Sequence, residues 1–412
     1  MHICMFNIFC HLTSLGDPGL ELLLEETMSI IDKLSDLNVW KSFEEYKANS
    51  GHVSKSDLED LSSFINNKEY LRVTELISSD SPLPLPHIKR ISKSSTDRKR
   101  IVFVYEREFK YVLKLLTYLI IRQYDSLFCP NLYSFRASRG VKHAIDFLTS
   151  RPEINQMYSY KVAVSDYFNS LIGIGIIQYV NFQKIIQERL NLIMKNYYPE
   201  LMIKILKDRI DDEGVIDFVS RLLLEPDVFD GDAIVPFRKG IIAGTPTAAF
   251  LANLYLADLD AYFYEQGILY ARYSDDIIVF AKTKEQLGDY IKVIKETLAN
   301  QGLGVNPSKE EISEPYGKWT FLGFSYCNGV IDVSPIAVHK LKRKIYRKSR
   351  ALLRWKDAKN VDGVKAARAL IKRFNTKLYD NPNDADITWS RWYFPSINTT
   401  DSLKEIDQYM VD

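Results

Sequence analysis

The chain has 412 residues, 46% hydrophobic and 26% charged, with a formal net charge of +1. That balance is ordinary for a folded globular protein, and the length suggests two or three domains with a sizeable core. No apolar run reaches membrane-spanning length, and the four cysteines (Cys4, Cys10, Cys129, Cys327) show no paired metal spacing, which argues against an integral membrane protein and a zinc module and fits a reducing compartment.

The charge is unevenly placed. Between His339 and Lys377 there are 15 Lys and Arg against two acids, Asp357 and Asp362. Two acids are too few to pair with that many cations along helices, so the stretch suggests a polyanion held locally. The opening MHICMFNIFCHL is apolar but lacks a basic start and a small-residue cleavage site, which argues against a signal peptide. Met28 opens a cleaner helical pattern and is a second candidate start.

Apolar residues Ile30, Ile31, Leu34, Leu37 and Trp40 recur at helical spacing, predicting a helix over 28–46. A second helix is predicted over 56–65, with Ser54 or Ser56 as its cap. SPLPLP at 81–86 breaks structure. A basic and Ser-rich turn over 89–100 leads into a strand over 101–105; it either cradles phosphate or is a solvated loop. A long apolar helix follows over 108–123. YSFRASR, from Tyr133, sets arginines beside aromatics, suited to phosphate and base contacts or simply to a surface loop.

Residues 161–164 read as a strand, and Tyr167, Phe168 and Leu171 as the entry to a helix. Mixed-charge helix is predicted over 178–218 and irregular chain over 222–239. GIIAGTP, ending at Pro246, is a Gly-rich turn feeding one apolar helix over 248–263. Then ILYARYSDDIIVFA places Asp275 and Asp276 between two apolar runs. The runs predict two buried strands with the carboxylates at the hairpin turn. Burying adjacent like charges costs several kcal/mol unless a counter-charge is supplied, and a divalent cation bound through oxygen, typically Mg²⁺, would supply it. A polar turn in water is the alternative, and these residues alone do not separate the two. A helix over 284–300 follows, then a hairpin over 319–334 with Asn-Gly at its turn. Basic helices over 336–374 and a tail rich in Trp and Tyr close the chain. The order of elements predicts an α+β core around a small antiparallel sheet, with a separate helical C-terminal domain.

Six of these stretches, in this order, resemble the motifs of bacterial reverse transcriptases of the group II intron and retron kind, most of all the unclassified and abortive-infection-type defense enzymes. They are RKRIVFVYERE from Arg98, YSFRASR from Tyr133, GIIAGTPTAAFLANLYLADLD from Gly240, YSDD from Tyr273, NPSK from Asn306 and FLGF from Phe321. The likeness covers residues 89–333 well and the tail loosely. It implies a right-hand polymerase: an N-terminal helical extension over 1–88, fingers and palm over 89–334 and a basic helical thumb, with the look of a truncated one, over 335–412.

The resemblance also implies site roles. Asp275 and Asp276 are the catalytic, metal-binding carboxylates, with two Mg²⁺ ions or Mn²⁺ in their place. Arg100 and Lys309 meet the nucleotide phosphates, and Gly244, in the stretch that follows the family's template-positioning glycine, contacts substrate. Phe168 lies under the nucleotide sugar, Tyr167 precedes it, and Asp166 matches a second acid near the triphosphate. For Phe168 and Tyr273 simple core packing is an equal alternative; otherwise Tyr273 meets the primer terminus. Arg136, the FLGF residues Phe321, Leu322 and Gly323, and the basic-helix residues Lys342, Arg343 and Arg347 contact nucleic acid. The implied partners are an RNA template, a DNA or RNA primer and dNTPs, with a structured non-coding RNA and self-association also open; the implied setting is cytoplasmic, away from membranes, and in anti-phage defense.

The sequence departs from the family at two points: Ala248-Ala249 stand where the family has Ser-Pro, and the third metal-binding Asp is missing. Counting back from Tyr167 and Phe168 puts the third metal-binding Asp at Ala163. An alanine cannot bind metal, so an inactivating substitution, a naturally impaired enzyme and recruitment of Asp166 all stay open. Three functions compete: RNA-directed DNA polymerase, RNA-binding homologue that no longer polymerises, and protein-primed or template-independent DNA synthesis. No endonuclease motif or maturase zinc site is present, which favours a stand-alone protein over an intron component.

Overall fold

The computed structural model describes residues 28–50, 53–79, 81–92, 99–136, 139–164, 199–225, 227–236, 245–379 and 388–411. Four helices lead: α1 (Ile30–Lys33), α2 (Leu37–Asn49), α3 (Lys55–Asn66) and α4 (Tyr70–Ser78). The single helix expected over 28–46 is two. Asp36 interrupts it because its carboxylate accepts from Asn38 N and caps α2 instead of continuing α1. Ser54 caps α3 by accepting from Asp57 N.

β1 (His87–Ser92) and β2 (Lys99–Val104) form the basic hairpin, and the long apolar helix is α5 (Arg107–Tyr124). After α6 (Val141–Thr149) comes β3 (Tyr158–Ala163). A helical stretch over 199–209 ends before Asp212, which caps α7 (Glu213–Leu224) through Val215 N. The same carboxylate accepts from Ile30 N at 2.7 Å and Ser29 Oγ at 2.8 Å, so one Asp starts two helices and ties the N-terminal extension to the body. The irregular chain expected over 222–239 holds a hairpin, β4 (Asp227–Asp230) and β5 (Ala233–Pro236). Gly231, with φ +65°, makes its turn, and β4 lies beside β1.

The helix expected over 248–263 is also two, α8 (Ala248–Tyr255) and α9 (Ala257–Glu265). The break at Leu256 puts Asp258 and Asp260 in the first turn of α9, where the helix dipole favours acids. β6 (Tyr270–Tyr273) and β7 (Asp276–Ala281) are the YSDD hairpin; α10 (Lys284–Asn300) follows, then β8 (Glu311–Ser313). β9 (Trp319–Phe321), β10 (Phe324–Cys327) and β11 (Val330–Val333) form a three-stranded meander, one strand more than the hairpin expected. Asn328 and Gly329 both have positive φ, the I′ turn that Asn-Gly prefers. The basic helices are α11 (Pro335–Lys359) and α12 (Gly363–Leu378); α13 (Trp389–Trp392) and α14 (Asp401–Val411) end the chain.

The central sheet has the order β6-β7-β3-β8. Its inner strands are covered on both faces, which is why β7 reads as an unbroken apolar run rather than an alternation. Ile277 and Val279 face the larger core with α5, α8 and the N-terminal helices. Ile278 and Phe280 face a second core with α6, Trp319, Phe321 and Phe324. A third, smaller core holds α11 and α12 against α14 and β11. Among the described residues, no helix is long and apolar enough to cross a membrane.

Candidate active site

The YSDD turn is built from β6 and β7 with a two-residue loop, Ser274 and Asp275. Ser274 has φ +58°, and positive φ at the first loop position alone is the II′ pattern, which prefers Gly. A serine held there stores strain, so its surroundings must fix it. They do so through a buried polar network. Ser274 N donates to Ser134 Oγ at 2.8 Å, and Arg272 Nη1 donates to Ser274 O at 3.2 Å. Ser134 Oγ donates to Asn253 Oδ1, and Asn253 Nδ2 donates back to Ser134 O.

Beneath this lies an ion pair, Arg272 to Asp260 at 2.5 Å, with side chains 0% and 1% exposed. Tyr270 OH donates to the same carboxylate, and Asn131 Nδ2 donates to the Asp260 carbonyl. Burial of such a pair is tolerated only when its remaining hydrogen-bonding capacity is met, as it is here. Two of the motifs therefore act as supports of the hairpin: Ser134 belongs to YSFRASR and Asn253 to the helix after the Gly-rich turn. Ser134, Asn253, Asp260 and Arg272 were missed in reading the sequence. The signal was there: each is a polar residue inside an apolar run.

Asp276 begins β7, and its register partner on β3 is Ala163; on β6 it is Tyr273. Directly opposed residues share a sheet face, so Tyr273, Asp276 and Ala163 form one row across three strands. Val164 N donates to the Asp275 carbonyl at 2.9 Å, closing the end of β3 onto the turn. A methyl group thus stands beside Asp276 at the register position counted from the motif. Asn306 N donates to the Ala163 carbonyl, which brings the NPSK turn, and Lys309 with it, to the end of β3.

Burial, and next the charge of Asp275, push the Asp276 carboxyl up to about 6; Lys309, Lys161 and Lys340 pull the other way. Lys340 lies on α11, so the basic helices feel the same site. Lys161 pairs with Glu311 at 2.9 Å and donates to Thr320 Oγ1. Among the described residues no three His, Cys, Asp or Glu gather as a metal site. Two adjacent carboxylates nevertheless fit Mg²⁺, which is usually bound through one or two carboxylates together with waters and substrate phosphates. The partly desolvated Asp276, repelled by its neighbour, is a donor set short of positive charge.

This raised value has a testable consequence. The protonated Asp276 carboxyl contributes stability that is fully present below its ordinary 3.8 and lost as pH rises through about 6. Asp276→Asn removes that loss. Above pH 7 the metal-free variant is expected to be more stable than the wild type by on the order of 1–3 kcal/mol, read as a higher urea midpoint, with the gap closing below pH 5.

The other expected site residues are placed as follows. Tyr273 is half-buried, and burial raises its hydroxyl pKa. Phe321, Leu322 and Gly323 form the turn between β9 and β10 beside the second core, with φ +51° at Leu322 and +86° at Gly323. Arg100 lies on β2, paired with Ile91. Arg136 is spent within the fold: it pairs with Asp125 at 2.7 Å and donates to the Cys129 and Leu132 carbonyls. Lys342 pairs with Glu405 at 2.7 Å and lies over the Tyr409 ring. Arg343 is exposed, and Arg347 lines a cleft of about 470 Å³ with Lys344, Lys348 and Arg373 between α11 and α12. Asp166, Tyr167, Phe168 and Gly244 lie outside the described residues. A second cleft, of about 620 Å³, opens between β2, α5 and the start of α8, with Lys110, Lys114 and Phe135 on its walls.

No curated protein matches the chain. Among solved structures, apo telomerase from Candida tropicalis, truncated from its C-terminal domain, is similar with a TM-score of 0.42 and 13% identity, over 60% of this chain and 55% of that one. The match thus spans little more than half of the telomerase chain. The family model described as reverse transcriptase (RNA-dependent DNA polymerase) matches residues 91–326, more than half of the protein, from the β1–β2 hairpin through the YSDD turn to the β9–β10 strands. The chain belongs to the reverse transcriptase family.

Proposed function

We propose that the protein is an RNA-directed DNA polymerase in which Asp275 and Asp276 hold Mg²⁺, or Mn²⁺ in its place, for dNTP addition to a DNA or RNA primer on an RNA template. The observation that carries this reading is Asp276 beside Tyr273 at the end of an inner strand covered on both faces, desolvated next to Asp275. With the cation bound, the site would gain the positive charge that lowers the pKa of a primer hydroxyl and offsets charge on the transferring phosphate.

The chain's own residues supply the rest. Lys309 and Arg100 meet the triphosphate. Tyr273 and the Phe321, Leu322 and Gly323 turn hold the primer end. Lys342, Arg343 and Arg347 face duplex phosphates from the basic helices; that contact is electrostatic and weakens steeply with salt. Asp166, Tyr167, Phe168 and Gly244 keep the nucleotide and template roles that the motifs imply. The division into an extension over 1–88, fingers and palm over 89–334 and a thumb over 335–412 goes with this reading. So do a cytoplasmic setting and a role in anti-phage defense, the latter supported by the likeness to abortive-infection enzymes.

A second reading has its own observation. Ala163 is the register partner of Asp276, and the motif resemblance puts a third carboxylate at that residue. The protein would then keep the fold and the RNA grip but not polymerise. Extension of oligo(dT) on poly(rA) separates the two. Incorporation that is lost in Asp275→Asn supports the polymerase. No incorporation, together with RNA binding that falls steeply between about 50 and 200 mM salt, supports the binding protein.

A further inference from the structure

The segment after the thumb helices returns to the palm, and its attachment there is specific. Asn398 accepts from Ile331 N at 2.8 Å and donates to the Gly329 carbonyl at 2.7 Å, pinning the chain to the β10–β11 turn. Tyr393 packs on Phe324, with ring centroids 5.0 Å apart. Its hydroxyl end lies so close to Gly323 that a Cβ there would collide with it. Gly323 is thus a glycine for two reasons, its positive φ and this contact.

Trp392 makes the two most telling contacts. Its Nε1 donates to the Leu322 carbonyl at 3.2 Å, and its ring meets Tyr273 edge-on at 6.2 Å between centroids. Leu322 itself has φ +51°, a conformation that a leucine keeps only when its surroundings hold it. One indole therefore touches both the FLGF turn and the tyrosine of the YSDD hairpin. Those two elements belong to different sheets. An indole suits this double contact because it is rigid, offers a large apolar face and carries one N–H.

We propose that Trp392 is a positioning residue for the primer terminus, setting the FLGF turn against Tyr273 so that the primer 3′ end is held at the carboxylates. The inference rests on the reading of those two elements as the primer-holding parts. Its physical basis is that a displacement of about 1 Å at a reacting end costs up to about a hundredfold in rate. Duplex affinity is carried mainly by phosphate contacts elsewhere and is little affected.

The test uses the full chain, as wild type and with Ala163→Asp, on an RNA template with a DNA primer carrying 2-aminopurine at its 3′ end. Trp392→Ala is expected to lower kcat about tenfold to a hundredfold while the duplex Kd stays within about threefold. The 2-aminopurine emission should move toward that of free duplex. Trp392→Phe, which keeps a ring against Tyr273 but has no N–H, should recover part of the rate. Asn398→Ala loosens the same segment at a point six residues from Trp392 and should lower the unfolding midpoint while lowering kcat much less than Trp392→Ala does. Equal loss of rate in Asn398→Ala and Trp392→Ala would overturn the proposal, because general loosening would then explain both. Normal extension and unchanged emission in Trp392→Ala would overturn it too, leaving the polymerase reading intact. Absence of extension in every chain, with emission that still depends on Trp392, would count against the polymerase reading and for this one.

Discussion

Ala163→Asp is expected to raise RNA-templated dNTP incorporation by a factor on the order of 10²–10³, the scale on which a single well-placed electrostatic contact to a transition state acts. The expectation comes from register. Ala163 is paired with Asp276 across β3 and β7, so a carboxylate introduced there shares the sheet face of the existing one. The variant should also differ from the wild type before any turnover. A third like charge pushes the Asp276 carboxyl further up than its present value of about 6 and destabilises the metal-free protein at neutral pH. Added Mg²⁺ or Mn²⁺ should restore that stability by mass action, visible as a concentration-dependent rise in Tm larger than in the wild type. A chain that gains neither activity nor cation-dependent stability would show that residue 163 does not stand at the metal position.

The second large effect concerns the support beneath the turn. Asp260→Ala is expected to cost roughly 3–5 kcal/mol, because it leaves Arg272 buried without its counter-charge. Urea unfolding measures it directly. The double replacement Asp260→Leu with Arg272→Met should recover much of that loss, since an apolar pair of similar volume removes the stranded charge. Activity should not return with it. Arg272 also donates to the Ser274 and Asn253 carbonyls, and without those bonds the strained serine has less to hold it. Recovered stability without recovered activity would separate the pair's role in placing the carboxylates from its role in folding.

Much of the fold was legible because local chemistry and tertiary placement agree. The run from Ile277 to Ala281, dense in β-branched residues, read as a buried strand, and Asn328-Gly329 read as a tight turn; both are so. Where the reading failed, a polar residue or a contact distant in sequence decided the outcome. Asp36 split one helix whose apolar spacing was continuous, and a break at Leu256 split another. The β4–β5 hairpin was hidden by Gly231 and Pro236, which read as breakers, whereas Gly231 makes the turn and Pro236 sits at the strand's end. The order β6-β7-β3-β8 depends on pairings across more than a hundred residues and has no local signature.

The site divides the same way. Motif spacing pointed to Asp275, Asp276 and residue 163, and the strand pairing sets Ala163 opposite Asp276. Arg272, Asp260, Asn253 and Ser134 showed only as polar residues inside apolar runs, and since a buried polar network has no fixed spacing, nothing local joined them into one support. Arg136 shows the reverse case: its motif suggested nucleic acid, and its guanidinium is occupied by Asp125 and two backbone carbonyls. The closing tail showed only its aromatic content, yet it reaches both the FLGF turn and Tyr273.

The most direct measurement compares dNTP incorporation on poly(rA)/oligo(dT) by Ala163→Asp and by Ala163→Asp with Asp275→Asn, at equal concentration and with Mg²⁺ present. If the YSDD carboxylates carry nucleotidyl transfer, the second substitution removes the incorporation seen with the first. Equal incorporation by the two proteins would contradict it.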